Sequence, residues 1–226
     1  MTITLFYSPF CPPARTVLLV AKALKLPVKI EQVDLLSTRY KQCSFKKQHP
    51  EKTIPCLKEE NHFIWDSHAI SDYLLNKYGQ RSKLRPKNFI QKAHVQRLIH
   101  FESEKLLPLT FNAITPIVFR GKSVISNTLV KSINKTYSML DRELLNYDWL
   151  TGNSPSIADL CCISSLSTLD LIVPVEENSN LFFYMQQFKE LPYYQEGNQD
   201  GLNIVAGVLL DKIVKSRFGT KVCKNL

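Results

Sequence analysis

Glu51-Lys-Thr-Ile-Pro-Cys-Leu-Lys-Glu-Glu-Asn-His-Phe-Ile-Trp-Asp-Ser-His-Ala-Ile70 is the stretch on which the reading of the fold turns. Two short β-type runs, Cys56-Leu-Lys-Glu59 and Phe63-Ile-Trp65, flank Glu60-Asn-His62, whose polar residues suit a hairpin turn. Pro55 stands where a strand begins, so its missing N–H breaks no ladder bond. A cis Ile54–Pro55 peptide there would leave the Ile54 backbone exposed. Such an edge can hold a peptide. A helix then begins at Ser67, which the pattern makes its cap.

Upstream, Thr2-Ile-Thr-Leu-Phe-Tyr7 reads as a strand interrupted by Pro9, Pro12 and Pro13. Proline suits a first helical turn, whose N–H groups have no intrahelical partner, so Ala14 to Leu26 continues as a helix. Val17, Leu18, Ala21 and Leu24 form its apolar stripe. Val28 to Leu35 is a second strand, Thr38 to Gln48 is irregular, and Ser67 to Tyr78 is a helix closed by Gly79. The order βαβαββα is the thioredoxin-like one. Gln80 to Pro86 has the polar, proline-terminated character of a connection between domains.

Beyond Lys87 strand signals almost disappear. Helical patterns occupy about 89–119, 123–146, 156–172, 178–190 and 199–216, interrupted by Gly121, Gly152 and Pro192. The predicted architecture is α/β plus all-α: a thioredoxin-like domain over 1–79, a linker over 80–88 and a helical bundle over 89–226. Within the bundle, Ser156-Ile-Ala-Asp159 matches a capping box, and losing Asp159 should cost about 1 kcal/mol or more.

The 226 residues, 44% of them hydrophobic, suffice for one large domain or two small ones. Met1-Thr-Ile-Thr-Leu lacks a charged lead into an apolar run, and no apolar run reaches ~18 residues, which predicts a cytoplasmic chain with no membrane partner. Cysteines 11, 43, 56, 161, 162 and 223 show no paired C-x-x-C spacing, so reduced thiols are expected rather than a metal site or a disulfide framework. The net charge of +9 comes from scattered lysines and arginines, which fits a solvated basic surface and no nucleic-acid partner.

Several separated motifs carry a resemblance. Cys11-Pro-Pro-Ala-Arg15, Phe63-Ile-Trp-Asp-Ser-His-Ala-Ile70, His100-Phe-Glu-Ser103, Leu150-Thr-Gly152 ahead of the capping box, and Leu191-Pro-Tyr-Tyr194 occur in the right order. Together with the hairpin they resemble the cytosolic glutathione transferases, the insect delta and epsilon classes above all and epsilon especially. The resemblance implies that Thr53, Ile54 and Pro55 pair with the cysteinyl backbone of glutathione, and that Asp66 and Ser67 hold its γ-glutamyl end. Lys52 replaces a family histidine and can still offer a cation to the glycyl carboxylate, and Tyr40 replaces another. His68 joins the implied glutathione set, although its character suits packing or a dimer interface better than a base.

In those classes a serine opens the Pro-Pro-x-Arg run and hydrogen-bonds the glutathione sulfur; here the aligned residue is Cys11. An S–H is a weaker donor than an O–H, and a cysteine at a helix start can instead ionise and form a mixed disulfide. Ser8 and Tyr7 are competing candidates beside the sulfur. The electrophile pocket implied by analogy is Phe10 with Leu107, Thr110, Phe111 and Ile114, a recurrence that equally describes core packing. The expected activity is conjugation of glutathione, the co-substrate, to a hydrophobic electrophile, for detoxification or on an endogenous lipophile, by a homodimer without metal. Glutathione-dependent thiol transfer through Cys11 and non-catalytic carriage of hydrophobic ligands are the alternatives.

Overall fold

The computed structural model describes residues 3–36, 51–122 and 124–218, with the side chains of 213–218 left aside. The N-terminal part runs β1 (Ile3–Tyr7), α1 (Pro12–Ala23), β2 (Val28–Gln32), β3 (Cys56–Glu59), β4 (His62–Trp65) and α2 (Ser67–Tyr78). Among the described residues these strands form a mixed sheet in the order β2-β1-β3-β4, with β1 parallel to β2 and antiparallel to β3. This is the thioredoxin-like arrangement. The additional helix in βαβαββα would fall within 37–50, outside the described residues.

Local chemistry accounts for most of the element ends. Pro12 and Pro13 both occupy the first turn of α1, which therefore begins earlier than Ala14, and the chain leaves it through Lys25 at φ 56° instead of running on to Leu26. In the hairpin, His62 pairs with Glu59, so the turn is Glu60-Asn61 and excludes His62, Glu60 taking φ 54°. β2 ends at Gln32 and is largely exposed, as befits an edge strand. Gly79 is the cap of α2 at φ −98°; what demands glycine is space, since a Cβ would stand 2.8 Å from the Leu75 carbonyl.

α2 is tied to β3 by a buried carboxylate. Glu59 accepts hydrogen bonds from the hydroxyls of Tyr73 and Tyr78 and from Lys77 Nζ at 2.8 Å. Burial pushes its carboxyl up, but the three donors outweigh burial and hold it down at about 2.

The C-terminal part is helical: α3 (Phe89–Phe101), α4 (Leu107–Arg120), α5 (Asn127–Glu143), α6 (Ile157–Asp170), α7 (Asn180–Gln187) and α8 (Asp200–Phe218). The continuous 89–119 pattern is in fact two helices, because a π-helical turn over Glu102–Leu106 separates α3 from α4. A second π-helical turn, Gln195–Gln199, leads into α8. Gly121 ends α4 at φ 64°.

α6 is buried along nearly its whole length and packs against α1, α3 and α4. Its start is fixed by Asp159: one carboxylate oxygen accepts from the Ser156 amide and hydroxyl, each at 2.7 Å, and the other from the Leu150 amide at 2.9 Å and the Tyr184 hydroxyl at 3.3 Å. The capping box thus also secures the Leu150-Thr-Gly152 turn. Trp149, beside that turn, meets Tyr184 and Phe188 edge to face, with centroids 5.9 and 5.0 Å away.

The two parts meet where α1 lies against α6 and the second π-helical turn. Gly197 and Gly201 permit the approach: a Cβ on Gly197 would be 2.8 Å from Leu19 Cα, and one on Gly201 would be 2.9 Å from Arg15 Cδ. Leu19 and Arg15 themselves are fully buried.

Two stability outcomes follow from these anchors. Asp159→Ala leaves several buried donors without an acceptor, so urea unfolding should show a loss of about 3 kcal/mol, well above that of a simple cap. Glu59→Gln should cost about 2 kcal/mol at neutral pH. Because the folded carboxyl lies at about 2, below its ordinary value of 4.5, that stabilisation is complete above pH 4.5 and fades as pH falls toward 2. Unfolding curves of the two proteins should therefore converge in acid.

Candidate functional site

Ser8, Pro9, Phe10 and Cys11 link β1 to α1, and Cys11 is the residue immediately before the helix. Its amide donates to Ser8 O at 3.1 Å and its carbonyl accepts from Ala14 and Arg15, so the thiol is held at the helix mouth. Cys11 Sγ donates to the carbonyl of Ile54 at 3.5 Å. Ile54–Pro55 is a cis peptide and stands immediately ahead of β3. Burial pushes the Cys11 thiol up to about 11, the Ala14 amide and the Arg15 charge pulling against it and Glu102 adding to the rise. At neutral pH the group is a protonated S–H, equipped to donate a hydrogen bond rather than to attack.

The competing candidates behave differently. Ser8 is buried and its hydroxyl has no hydrogen-bond partner. Tyr7 is buried too, and its hydroxyl lies against Gly201 at the start of α8.

On the other side of Pro55, Lys52 and Thr53 are exposed, Lys52 at φ 57°; Tyr40 lies outside the described residues. The cap of α2 is Asp66 and not Ser67, as the sequence had suggested. Oδ1 of Asp66 accepts from the amides of His68 and Ala69, both at 2.9 Å, while Ser67 is the first helical residue and is buried. Asp66 takes φ 71° and ψ 126°, a conformation that costs a non-glycine residue free energy and that recurs where a side chain must be aimed at a ligand. Asp66 is exposed, so a carboxylate and a helix N-terminus face solvent together, a combination that suits an ammonium beside a carboxylate.

His68 reaches inward. Its Nε2 stands 3.0 Å from Glu102 Oε2, and the other oxygen of Glu102 accepts from the Ser165 hydroxyl at 2.5 Å. Burial disfavours its charge, but Cys161 and Glu102 overcome that and raise the imidazole to about 11, so it remains a cation and no base. His68, Glu102 and Ser165 therefore tie α2 to α6 through the first π-helical turn. Neither Glu102 nor Ser165 was singled out from the sequence for a role; the only signal was that Glu102 falls within the His100-Phe-Glu-Ser103 motif.

The four α4 positions are not equivalent. Thr110 is fully buried and donates to Leu106 O at 2.7 Å, Ile114 is buried, Leu107 is half-buried and Phe111 is exposed. Phe10 packs with Ile114, Ile117 and Val118 of α4 and with Val205 and Leu209 of α8. The α8 contribution was invisible in sequence, since nothing local says which face of α8 turns to the Phe10 loop. A groove of about 820 Å³ opens elsewhere, between α2 and α3, lined by Asp66, His68, Asp72, Lys92 and His100 among others. Among the described residues no cluster of metal ligands occurs, and no helix is long and apolar enough to cross a membrane.

Comparison with known proteins bears on this geometry. Residues 5–82 match the family model described as "Glutathione S-transferase, N-terminal domain". The curated Glutathione S-transferase 1 of Manduca sexta is 33% identical over 217 residues, covering 94% of this chain and 100% of that protein. An epsilon-class glutathione S-transferase from the housefly, Musca domestica, superimposes with a TM-score of 0.87 at 31% identity, over 93% of this chain and 98% of its own. A glutathione transferase homolog from Drosophila mojavensis, solved with bound glutathione, gives 0.86 at 28% identity, over 93% and 97%. The chain belongs to the glutathione S-transferase family, and among its insect members it is epsilon-like.

Proposed function

We propose that this protein activates the thiol of glutathione and directs it onto a hydrophobic electrophile, with Cys11 as the hydrogen-bond donor beside the sulfur. The observation that carries the role of Cys11 is its state: a buried, protonated thiol at the mouth of α1, whose one hydrogen goes to the Ile54 carbonyl over a long 3.5 Å contact and turns to the sulfur when glutathione binds. A donor in that place favours the ionised form of a bound thiol, and holding both reactants in one cleft supplies proximity. Glutathione lies along the edge of Thr53, Ile54 and Pro55, with Lys52 and Tyr40 toward its glycyl end and Asp66, Ser67 and His68 toward its γ-glutamyl end. His68 acts there as a fixed cation, tethered by Glu102.

The electrophile sits where Phe10 meets α4 and α8, so Leu107, Thr110, Phe111 and Ile114 are joined by Val205 and Leu209. The last two pack directly on the Phe10 cluster, whereas Thr110 turns its hydroxyl to its own helix. A second copy of the chain fits the α2–α3 groove. Acidic Asp72 lines it beside basic Lys92 and Arg85, a charge distribution that a two-fold axis would make self-complementary. In this reading 1–79 is the glutathione-binding domain, 80–88 a linker and 89–226 the helical domain, and the protein works in the cytoplasm.

Thiol transfer through Cys11 is the weaker reading, because a thiol held near 11 supplies almost no thiolate at neutral pH. A chromogenic aryl-halide assay separates the readings. Cys11→Ser should conjugate at least as fast as the wild type, and Cys11→Ala should lose about tenfold in kcat/KM. Loss of disulfide reduction in both variants, with conjugation untouched, would instead establish thiol transfer. Binding of hydrophobic ligands without turnover by any form would establish a carrier. Asp66→Ala should raise the KM for glutathione roughly 10- to 100-fold, as expected for removal of a charge-assisted contact.

A further inference from the structure

Arg15 is completely buried at the junction of α1, α6 and the second π-helical turn. Its Nε donates to Asn198 Oδ1 at 2.9 Å, one terminal nitrogen donates to the Pro9 carbonyl at 2.5 Å, and the other donates to the Ser164 carbonyl at 2.9 Å and to the Thr168 hydroxyl. Every one of these acceptors is neutral. Buried cations are ordinarily matched by an anion, because dipoles can satisfy the N–H groups but cannot cancel the charge. Burial lowers the guanidinium to about 10, so it remains fully charged at neutral pH.

This charge lies directly behind the sulfur site. Arg15 grips the carbonyl of Pro9, two residues before Cys11, and its own amide bonds the carbonyl of Cys11 at 3.1 Å. The groups facing it are Tyr7 from β1, Cys11 from the start of α1 and Tyr194 from the segment before the second π-helical turn. Burial raises both phenols, so they stay neutral and leave the cation uncompensated. The nearby carboxylates act on those neighbours: Asp200 of α8 on Tyr7, Asp170 of α6 on Tyr194, and Glu102 on Cys11. Glu196, on the same turn as Asn198, is paired with Lys22.

We propose that Arg15 is a positioning residue with an electrostatic consequence: its unneutralised charge, fixed behind Cys11 by neutral dipoles, stabilises the thiolate of bound glutathione. This role rests on the glutathione reading above. Low-dielectric surroundings make such a field effective at a distance where water would quench it.

The test is the ultraviolet thiolate titration of the glutathione-saturated protein, taken as a difference against the free protein and joined to the pH profile of kcat/KM. Asn198→Asp puts a carboxylate on Arg15 Nε. The Asn198 amide now donates to the hydroxyls of Ser167 and Tyr194, which can turn and donate to a carboxylate instead, Ser167 giving up only its long 3.4 Å bond to the Ser164 carbonyl. The apparent pKa of the bound thiol should rise by about one unit, with the pH profile moving alongside. Thr168→Val removes the two hydrogen bonds of that hydroxyl, one accepted from Arg15 and one donated to the Ser164 carbonyl, keeps the charge, and should leave the titration where it is. An unshifted titration in a folded Asn198→Asp protein that binds glutathione overturns the proposal, and so does an equal shift in Thr168→Val. A wild type that binds no glutathione by calorimetry overturns the underlying reading, and this role with it.

Discussion

A guanidinium shut away from water has to be met by acceptors on every side, and that requirement shapes the centre of this molecule. Arg15 draws them from three places at once: the loop before α1, the middle of α6, and Asn198 on the turn that leads into α8. None of these segments is near another in the chain. Satisfying one side chain therefore fixes how the thioredoxin-like part docks on the helices, and it fixes the loop that presents Cys11. Fold and site share one anchor, and a displaced α6 would be felt first at the Pro9 carbonyl.

A second tie runs parallel to it. His68, Glu102 and Ser165 connect the N-terminal end of α2 to α6 through the first π-helical turn. The wide turn has a physical use here. Glu102 opens that turn in the interior, where the His68 imidazole and the Ser165 hydroxyl meet its carboxylate, and the wide turn resets the register of the α4 residues that follow. Both ties end on α6, which explains why the cap at Asp159 is so heavily bonded: the helix that registers the site is itself registered by its first turn.

The parts legible in the sequence were those written in local rules. The β3–β4 hairpin, the proline-led start of α1, the Gly-closed end of α2 and the box at Ser156–Asp159 each depend on residues within a few positions of one another. Errors arose where two local options were close in energy. Asp66 and Ser67 are both good caps, and the backbone of Asp66 decided the matter; His62 could serve turn or strand, and pairing with Glu59 drew it into the strand. What was illegible was long-range. Arg15 was visible only as part of a motif, because apart from the Pro9 carbonyl its acceptors lie more than 140 positions away in α6 and beyond. Val205 and Leu209 gave no hint that they would close over Phe10, since an apolar helix face does not name its partner.

Gly197 and Gly201 bring the backbone of the second π-helical turn and of α8 almost onto α1. A methyl group at either position would collide with Leu19 or with the immobilised Arg15, so this seam has no slack for growth by substitution. Change in what the protein accepts as a second substrate is thereby steered away from the hinge of the molecule. It is left to the rims, to exposed positions such as Phe111 on α4 and Ile204 on α8, where a side chain can be exchanged without disturbing the sulfur's surroundings.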